Sequence, residues 1–181
     1  MKRHWNKLDS LKLYRGRILN LRQDKYHFLP NDIIRDFTVL EFSDWVNIIP
    51  LTADDMVVMI RQYRHGVERE TLEIPGGLIS HDDPDPVHAA VREMMEETGY
   101  FSENIVHLGS VEPNPAVQNN RCHTFLARNA YLKSDQNLDP TEAIELECIP
   151  RKSVYEMIRN GTITHALVIA AFTHLMLHEG R

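Results

Sequence analysis

Alternating apolar and polar positions predict β-strands along the first quarter of the chain. Residues 11–28 (LKLYRGRILNLRQDKYHF) and 33–42 (IIRDFTVLEF) both alternate, and a Pro30-Asn31-Asp32 turn lies between them. More continuous apolar runs at residues 45–51 and 56–64 predict two further strands, joined at residues 52–55. Shorter strand patterns follow at residues 70–77, 105–113, 121–132 and 143–150.

In three segments the apolar residues recur every three to four positions, which is the spacing of a helix. The first helix is predicted from Pro86 to Thr98, because Asp85 suits the N-cap, Pro86 the first helical position and Gly99 the C-cap. Residues 151–159 and 165–179 predict two more helices, separated by Gly161. The order of strands, one helix, strands and two helices differs from regular β-α alternation. It predicts a mixed α/β sandwich, with helices packed on a twisted sheet.

Composition limits the protein to a few classes. The 181 residues suit one domain with a small appendage, and 43% apolar and 25% charged residues are ordinary values for a globular protein. The formal charge of −6 argues against nucleic-acid binding. Cys122 and Cys148 have neither metal-ligand spacing nor a disulfide framework, which favours a reduced, cytoplasmic location. No apolar stretch follows the basic start, and the longest apolar run, residues 166–172, is too short for a bilayer, so we expect no membrane partner.

The stretch REMMEETGY, residues 92–100, places three carboxylates on one helix face. Glu93, Glu96 and Glu97 stand at i, i+3 and i+4, where they repel one another, and Arg92 offsets part of this through its i,i+4 partner Glu96. Clustered carboxylate oxygens suit Mg²⁺ or Mn²⁺. Taken alone, the cluster is also compatible with a solvated acidic surface.

A glycine pair precedes this helix. Gly76 and Gly77 follow a predicted strand, where a bare backbone can approach a metal or a phosphate closely, although a simple turn explains two glycines equally well. The combination of glycines, loop and Arg-Glu-x-x-Glu-Glu helix indicates a metal or phosphate site more specifically than any one of these features alone.

These residues resemble the signature of the Nudix hydrolases, G-x5-E-x7-R-E-U-x-E-E-x-G-U, where U is a bulky apolar residue. Gly77 corresponds to the first glycine, and residues 92–100 match the second half. The loop carries one extra residue, and Asp83 stands where the signature has its first glutamate. Either Asp82 or Asp83 could take that place. The resemblance implies a Nudix-type α/β/α sandwich with a mixed twisted sheet in residues 46–181, after a small antiparallel β appendage in residues 1–45.

The resemblance also implies a chemistry. Nudix hydrolases cleave a nucleoside diphosphate linked to another group, with divalent ions such as Mg²⁺ or Mn²⁺. By position, Glu93 and Glu97 would be the principal metal ligands, Glu96 would support them, and the Gly76 carbonyl would add a ligand. Arg92 would orient the glutamates by ion pairing.

The segment VVMIRQYRHGVERETLEIPGG, residues 57–77, resembles the ADP-ribose and nucleotide-sugar pyrophosphatase branch. In that branch Arg64 would lie near the phosphates and Glu73 near the metal, although Arg64 also fits an exposed strand position. Trp45 would stack on a base or pack in the core.

A catalytic base is expected from the acidic segment after the box. Glu142 is the first candidate and Glu145 the second, and a solvated loop is the alternative interpretation. Before the strand at residues 121–132, Gln118 and Asn119 can hydrogen-bond a sugar or a base but cannot accept a proton near neutral pH.

Three functions are compatible with these features. The first is hydrolysis of ADP-ribose or a related nucleotide sugar; the second is hydrolysis of dinucleoside polyphosphates or nucleoside triphosphates. The third is a non-catalytic, ligand-sensing domain, against which the intact glutamates weigh. The N-terminal segment resembles the extra sheet through which related enzymes dimerise, so we expect a homodimer.

Overall fold

The computed structural model describes residues 4–180. Residues 1–3 of the predicted N-terminal segment, and residue 181 at the end of the predicted main domain, lie outside it. The chain divides into two compact units: Met1–Ser43 with Glu112–Arg121, and Asp44–Val111 with Cys122–Arg181.

The first unit contains a three-stranded antiparallel sheet. Its strands are β1 (Trp5–Arg15), β2 (Leu19–Phe28) and β3 (Ile33–Phe42), in the order β1-β2-β3. The turn expected at residues 30–32 is present between β2 and β3. Residues 112–121 join this unit because Leu40 donates its backbone N–H to the carbonyl of Val117 at 2.8 Å and forms a bridge with Gln118.

The second unit contains a seven-stranded sheet. Its central order is β12-β5-β4-β10-β9, with β6 paired to β5 and β7 paired to β4. β10 runs parallel to β4 and the other pairs are antiparallel, so the sheet is mixed, as predicted. The strands are β4 (Trp45–Leu51), β5 (Met56–Arg64), β6 (Arg69–Glu73), β7 (Gly76–Leu78), β9 (Asn104–Val111), β10 (Cys122–Arg128) and β12 (Ile144–Pro150), and β8 (Tyr100–Phe101) and β11 (Tyr131–Leu132) form a separate pair.

Helix α1 (Pro86–Thr98) has the predicted bounds and caps. The Asp85 side chain accepts a hydrogen bond from the His88 N–H at 2.9 Å, and Gly99 adopts a left-handed φ of 72°. The other helices are α2 (Arg151–Arg159) and α3 (Ala166–His178), with His165 as the N-cap of α3. Within residues 4–180, no helix combines the length and apolar character that a membrane span requires.

The helices cover both faces of this sheet. Helix α1 packs on one face through Ala90 and Met94, while α2 and α3 pack on the other through Val154 and Phe172. Because side chains of a strand alternate between faces, neighbours such as Ile48 and Ile49 enter different cores. The predicted α/β/α sandwich is confirmed.

Candidate active site

The glycine pair brings strand β7 against the carboxylates of α1. The Gly76 N–H donates to Glu97 Oε2 at 2.9 Å. A Cβ atom at Gly77 would overlap the Glu93 carboxylate, and one at Gly76 would overlap the Val46 carbonyl. A side chain at Gly76 would therefore collide with the backbone, and one at Gly77 would displace the Glu93 carboxylate, which a simple turn would not require.

Arg92 joins the loop to the helix. Its guanidinium contacts Glu93 Oε1 and Glu96 Oε2, both at 2.9 Å, and donates to the Leu78 carbonyl at 3.2 Å. The i,i+4 ion pair with Glu96 expected from the sequence is present. Arg92 Nε and Nη2 also donate to the two oxygens of Asp83 at 3.1 and 3.0 Å.

Asp83, rather than Asp82, contacts the box arginine. The Asp83 side chain is 7% exposed, whereas that of Asp82 is fully exposed. The extra loop residue is accommodated by a turn in which the Ser80 N–H donates to Asp83 Oδ2 at 2.8 Å. Hydrogen bonds from Arg92 lower the pKa of Asp83 to about 2, so this carboxylate is ionised at neutral pH.

Glu97 is buried and Glu93 is partly buried, and the charges of both are incompletely compensated. Burial raises the pKa of Glu97 to about 8; the Gly76 N–H and Arg64 oppose this, but the charges of Glu93 and Glu142 reinforce it. Burial also raises the pKa of Glu93, although Arg92 opposes the change. An additional positive charge between these carboxylates would relieve both effects.

The donor set fits a divalent ion of the Mg²⁺ class, although it is not a preformed centre. Within residues 4–180, no three His, Cys, Asp or Glu side chains converge as metal ligands. The reason is that Glu93 and Glu96 turn towards Arg92, while Glu97 turns towards the Gly76 N–H. Their oxygens are the hard ligands that Mg²⁺ prefers, and the absence of a side chain at Gly77 lets the Glu93 carboxylate lie against the backbone of β7.

Arg64 is held by Glu73 in a bidentate pair. Arg64 Nε and Nη2 donate to the two Glu73 oxygens, each at 2.7 Å, and this geometry leaves Nη1 outside the pair. Thr71 donates its hydroxyl to Glu73 Oε1 at 2.5 Å, and His165 Nε2 lies 3.6 Å from Glu73 Oε2. These contacts surround a carboxylate that is almost completely buried.

The pair is connected electrostatically with the glutamates of α1. The hydrogen bonds to Glu73 are the largest influence that raises the pKa of Arg64. The charges of Glu97 and Glu142 raise it further. Arg64 therefore belongs to the same cluster of charges as the metal-ligating face predicted for α1.

The two candidate bases occupy different environments. Glu142 is exposed in a turn, where its Oε2 accepts the Asp139 N–H at 3.1 Å, and its charge acts on Glu93 and Glu97. Glu145 stands opposite Arg61 in β12, on the other face from Ile144. Glu142 is therefore the candidate whose charge reaches the α1 glutamates, whereas Glu145 lies within β12 on the same face as Arg61 of β5.

The predicted substrate-binding residues outside this cluster are placed as follows. Trp45 begins β4, opposite Leu78 of β7, on the face away from Val46. Gln118 and Asn119 belong to the first unit, where Asn119 Oδ1 accepts the Phe42 N–H at 3.1 Å. Contact of these three with substrate stays a prediction.

Sequence reasoning missed His165 and Thr71. Thr71 lies two residues from Glu73 on the same face of β6, whereas His165 lies beside Glu73 only because β6 and the start of α3 meet in the folded chain. The signal in the sequence was weak: a histidine stands where a helix N-cap favours Ser, Thr, Asp or Asn.

Comparisons with known proteins agree with this geometry. Residues 43–172 match the model of the NUDIX domain. The chain is 28% identical over 173 residues to the methanol dehydrogenase activator of Bacillus methanolicus, covering 95% of this chain and 92% of that protein. It is 24% identical over 169 residues to the ADP-ribose pyrophosphatase of Bacillus subtilis (strain 168), covering 93% and 90%.

The fold is also found in a solved structure. A crystal structure of an ADP compounds hydrolase superposes with a TM-score of 0.84 at 21% identity, over 99% of this chain and 97% of that chain. This likeness concerns the fold, while the family follows from the domain match, which covers more than half of the 181 residues. The resemblance at Gly77 and residues 92–100 is thereby confirmed: the chain belongs to the Nudix hydrolase family.

Proposed function

We propose that the protein hydrolyses the pyrophosphate bond of ADP-ribose or a related nucleotide sugar, giving a nucleoside monophosphate and a sugar phosphate. The observation that carries this proposal is the pair of buried, undercompensated carboxylates, Glu93 and Glu97, beside the glycine strand and the charge of Arg64. The match along most of the Bacillus subtilis ADP-ribose pyrophosphatase supports the substrate class.

Nudix hydrolases generally use divalent ions, and four groups of this chain would hold one: the carboxylates of Glu93, Glu96 and Glu97 and the carbonyl of Gly76. When bound, the ion neutralises diphosphate charge and lowers the pKa of a coordinated water. Mg²⁺ is the proposed ion, with Mn²⁺ as the alternative, because the donors are hard oxygens.

The remaining steps fall to side chains around this centre. Arg92 holds Glu93 and Glu96 on one side of the helix, which limits the reorientation needed when the ion binds. Arg64 offers its Nη1 edge to a diphosphate oxygen, since Glu73 occupies its other edge. Glu142 accepts the proton of the attacking water, and its exposed position in a turn lets it approach.

The first unit supports the proposal of a homodimer. Strand β1 and the following turn expose an unusual number of large apolar side chains, which suits contact with a second copy. They are Leu8, Leu11, Leu13, Tyr14 and Ile18, each between 47% and 63% exposed. A monomeric mass by analytical ultracentrifugation at micromolar concentration would contradict the dimer. The cytoplasmic location stays a prediction.

A substrate panel with Mg²⁺ tests the reaction. The panel contains ADP-ribose, other nucleoside diphosphate sugars, dinucleoside polyphosphates and nucleoside triphosphates, with products separated by ion-exchange chromatography. We expect AMP and ribose 5-phosphate from ADP-ribose. Pyrophosphate released from triphosphates, with ADP-ribose left intact, would overturn the proposal in favour of the second substrate class.

A second function is favoured by one observation, the match with a protein named as a methanol dehydrogenase activator along 95% of this chain. In that case the domain would act on a dehydrogenase. Adding wild-type protein and the Glu97→Gln variant to a purified methanol dehydrogenase separates two possibilities. Activation by both proteins indicates a role without catalysis, whereas activation by wild type alone indicates that hydrolysis is required.

A further inference from the structure

His165 occupies the N-cap of α3 without capping the helix. Its side chain makes no hydrogen bond to the first turn. Histidine is a poor N-cap compared with Ser, Thr, Asp or Asn. The imidazole instead points to Glu73, with Nε2 3.6 Å from Oε2. The position therefore loses helix stability and gains a contact with a buried carboxylate.

The backbone around His165 is anchored from two directions. Ile163 is buried and donates its N–H to the Met157 carbonyl at 3.0 Å. Thr164 accepts a hydrogen bond from Arg69 Nη2 at 2.7 Å, which ties the segment to β6, the strand that carries Glu73. The two residues before His165 are thus anchored, and they hold the imidazole beside Glu73.

Glu73 depends on Arg64 for most of its compensation. Its side chain is only 4% exposed, and burial works against its charge, but the hydrogen bonds and charge of Arg64 hold its pKa below the usual value. When Arg64 also donates Nη1 to a diphosphate, its guanidinium is shared between two anions, its contact with Glu73 weakens, and Glu73 loses part of that compensation inside the protein. A buried carboxylate that loses a partner is destabilised unless another donor replaces it.

We propose that His165 is a positioning residue: its imidazole donates to Glu73 when the contact between Arg64 and Glu73 weakens. At 3.6 Å the contact is longer than a hydrogen bond, and it shortens when Arg64 is shared with the substrate. His165 then stabilises Glu73, which keeps Arg64 directed at the diphosphate. This role rests on the proposed function, because it assumes that Arg64 binds the diphosphate of a nucleotide.

The first test compares His165→Leu with His165→Gln in steady-state kinetics on the best substrate of the panel. Leucine removes the donor, so KM rises about tenfold with kcat nearly unchanged, because the interaction serves binding. Glutamine keeps an N–H donor and restores KM to near the wild-type value. The matched control is His178→Leu at the exposed end of the same helix, which leaves both constants unchanged. A fall in kcat alone, or no recovery with glutamine, would overturn the proposal.

A double-mutant cycle with Arg64→Gln separates positioning from a general structural effect. If His165 acts through Arg64, His165→Leu raises KM in the wild-type background and adds nothing once Arg64 is replaced. Equal effects in both backgrounds would show that His165 acts by another route.

A measurement without turnover keeps this proposal separate from the substrate assignment. The Arg64 Nε–H resonance, identified by its loss in Arg64→Gln, is followed by ¹⁵N NMR during titration with ADP and Mg²⁺. In wild type the resonance persists in the complex, and in His165→Leu it broadens because Glu73 no longer holds the guanidinium. An unchanged resonance in His165→Leu would contradict the positioning role, even if the protein hydrolyses ADP-ribose. If ADP-ribose is not hydrolysed but this NMR difference is observed, only the proposed substrate is wrong and the positioning role of His165 stands.

Discussion

Asp24 in the first unit and Glu97 in the second are similarly buried carboxylates with opposite electrostatics. Asp24 is 1% exposed and Glu97 is 4% exposed. Burial raises the pKa of each, but Asp24 accepts from Lys7, Ser10 and Arg22, which together lower its pKa to about 2. Glu97 accepts from the Gly76 N–H, has the charge of Glu93 nearby, and its pKa rises to about 8.

The difference separates a carboxylate that completes the fold from one that requires a ligand. Around Asp24 the chain supplies its own cations, so nothing further is needed to stabilise the charge. Around Glu97 the nearest cationic groups are committed elsewhere: Arg92 to Asp83, Glu93 and Glu96, and Arg64 to Glu73. A site that leaves buried charge uncompensated is where we expect function.

The largest expected effect is on catalysis by Glu97→Gln. The substitution removes a charge that the proposed metal site requires, so kcat/KM falls by about a thousandfold or more. It also replaces a carboxyl group whose ionised form is disfavoured by burial, so the melting temperature without Mg²⁺ stays the same or rises. Steady-state kinetics and calorimetry measure the two effects. Undiminished turnover of every substrate in the panel would disprove the metal mechanism.

Mg²⁺ should stabilise the second unit through the same carboxylates. At roughly one hundred times its Kd, an ion that binds only the folded state adds about 3 kcal/mol to the free energy of unfolding. Thermal unfolding with and without EDTA measures this gain, and Glu97→Gln should reduce it. Asp24→Asn should leave the Mg²⁺-dependent increase in unfolding free energy intact. Loss of that increase in Asp24→Asn would contradict the distinction between Asp24 and Glu97.

Asp24→Asn should destabilise the protein without relieving any unfavourable charge. It leaves Lys7 and Arg22 without their shared carboxylate, which costs about 2 kcal/mol because both cations keep some solvent contact. Urea unfolding followed by tryptophan fluorescence reports the loss, since Trp5 lies in the same sheet. Asp36→Asn, at an exposed position of β3, is the matched control and should change little. If the Asp24→Asn variant were as stable as wild type, the cluster would add nothing to folding.

The smallest effect is the acid dependence of stability. The folded pKa of Asp24 is lowered to about 2 from its ordinary value of 3.8, so its contribution is present above 3.8 and is lost as pH falls towards 2. Asp24→Asn should therefore flatten the fall in unfolding free energy between these two values. The pKa of Asp83 is also lowered to about 2, so Asp83 still contributes to the acid dependence of stability in that variant. Identical acid slopes for wild type and Asp24→Asn would contradict the assignment.

The sequence predicted the elements of the site well because their signals are local. The caps of α1 depend on Asp85, Pro86 and Gly99, and helical spacing alone places Glu93, Glu96 and Glu97 on one face. The strand bounds at residues 45–51 and 56–64 follow from apolar runs and turn residues. Such signals depend on neighbours only a few positions apart, so no knowledge of the fold was needed.

The pairing of distant residues could not be read in the same way. Asp83 and Asp82 are adjacent acidic residues, and only the turn at Ser80 decides that Asp83 reaches Arg92. Glu142 and Glu145 look alike in sequence, but Glu145 lies within β12, opposite Arg61 of β5, whereas Glu142 lies in the turn before that strand. These outcomes depend on loop geometry and strand pairing, which are properties of the assembled sheet.

The sequence by itself therefore determined the chemistry that the site offers: a glycine pair, an arginine and three carboxylates at helical spacing, in a chain of the Nudix family. Only the tertiary structure decided which charges are compensated. In the folded chain Arg64 forms an ion pair with Glu73, and His165 lies beside that pair. The Glu97 carboxylate accepts a hydrogen bond from the backbone N–H of Gly76. The physical reason is that residue type fixes a charge, whereas the neighbours that stabilise it after burial come from other strands and helices.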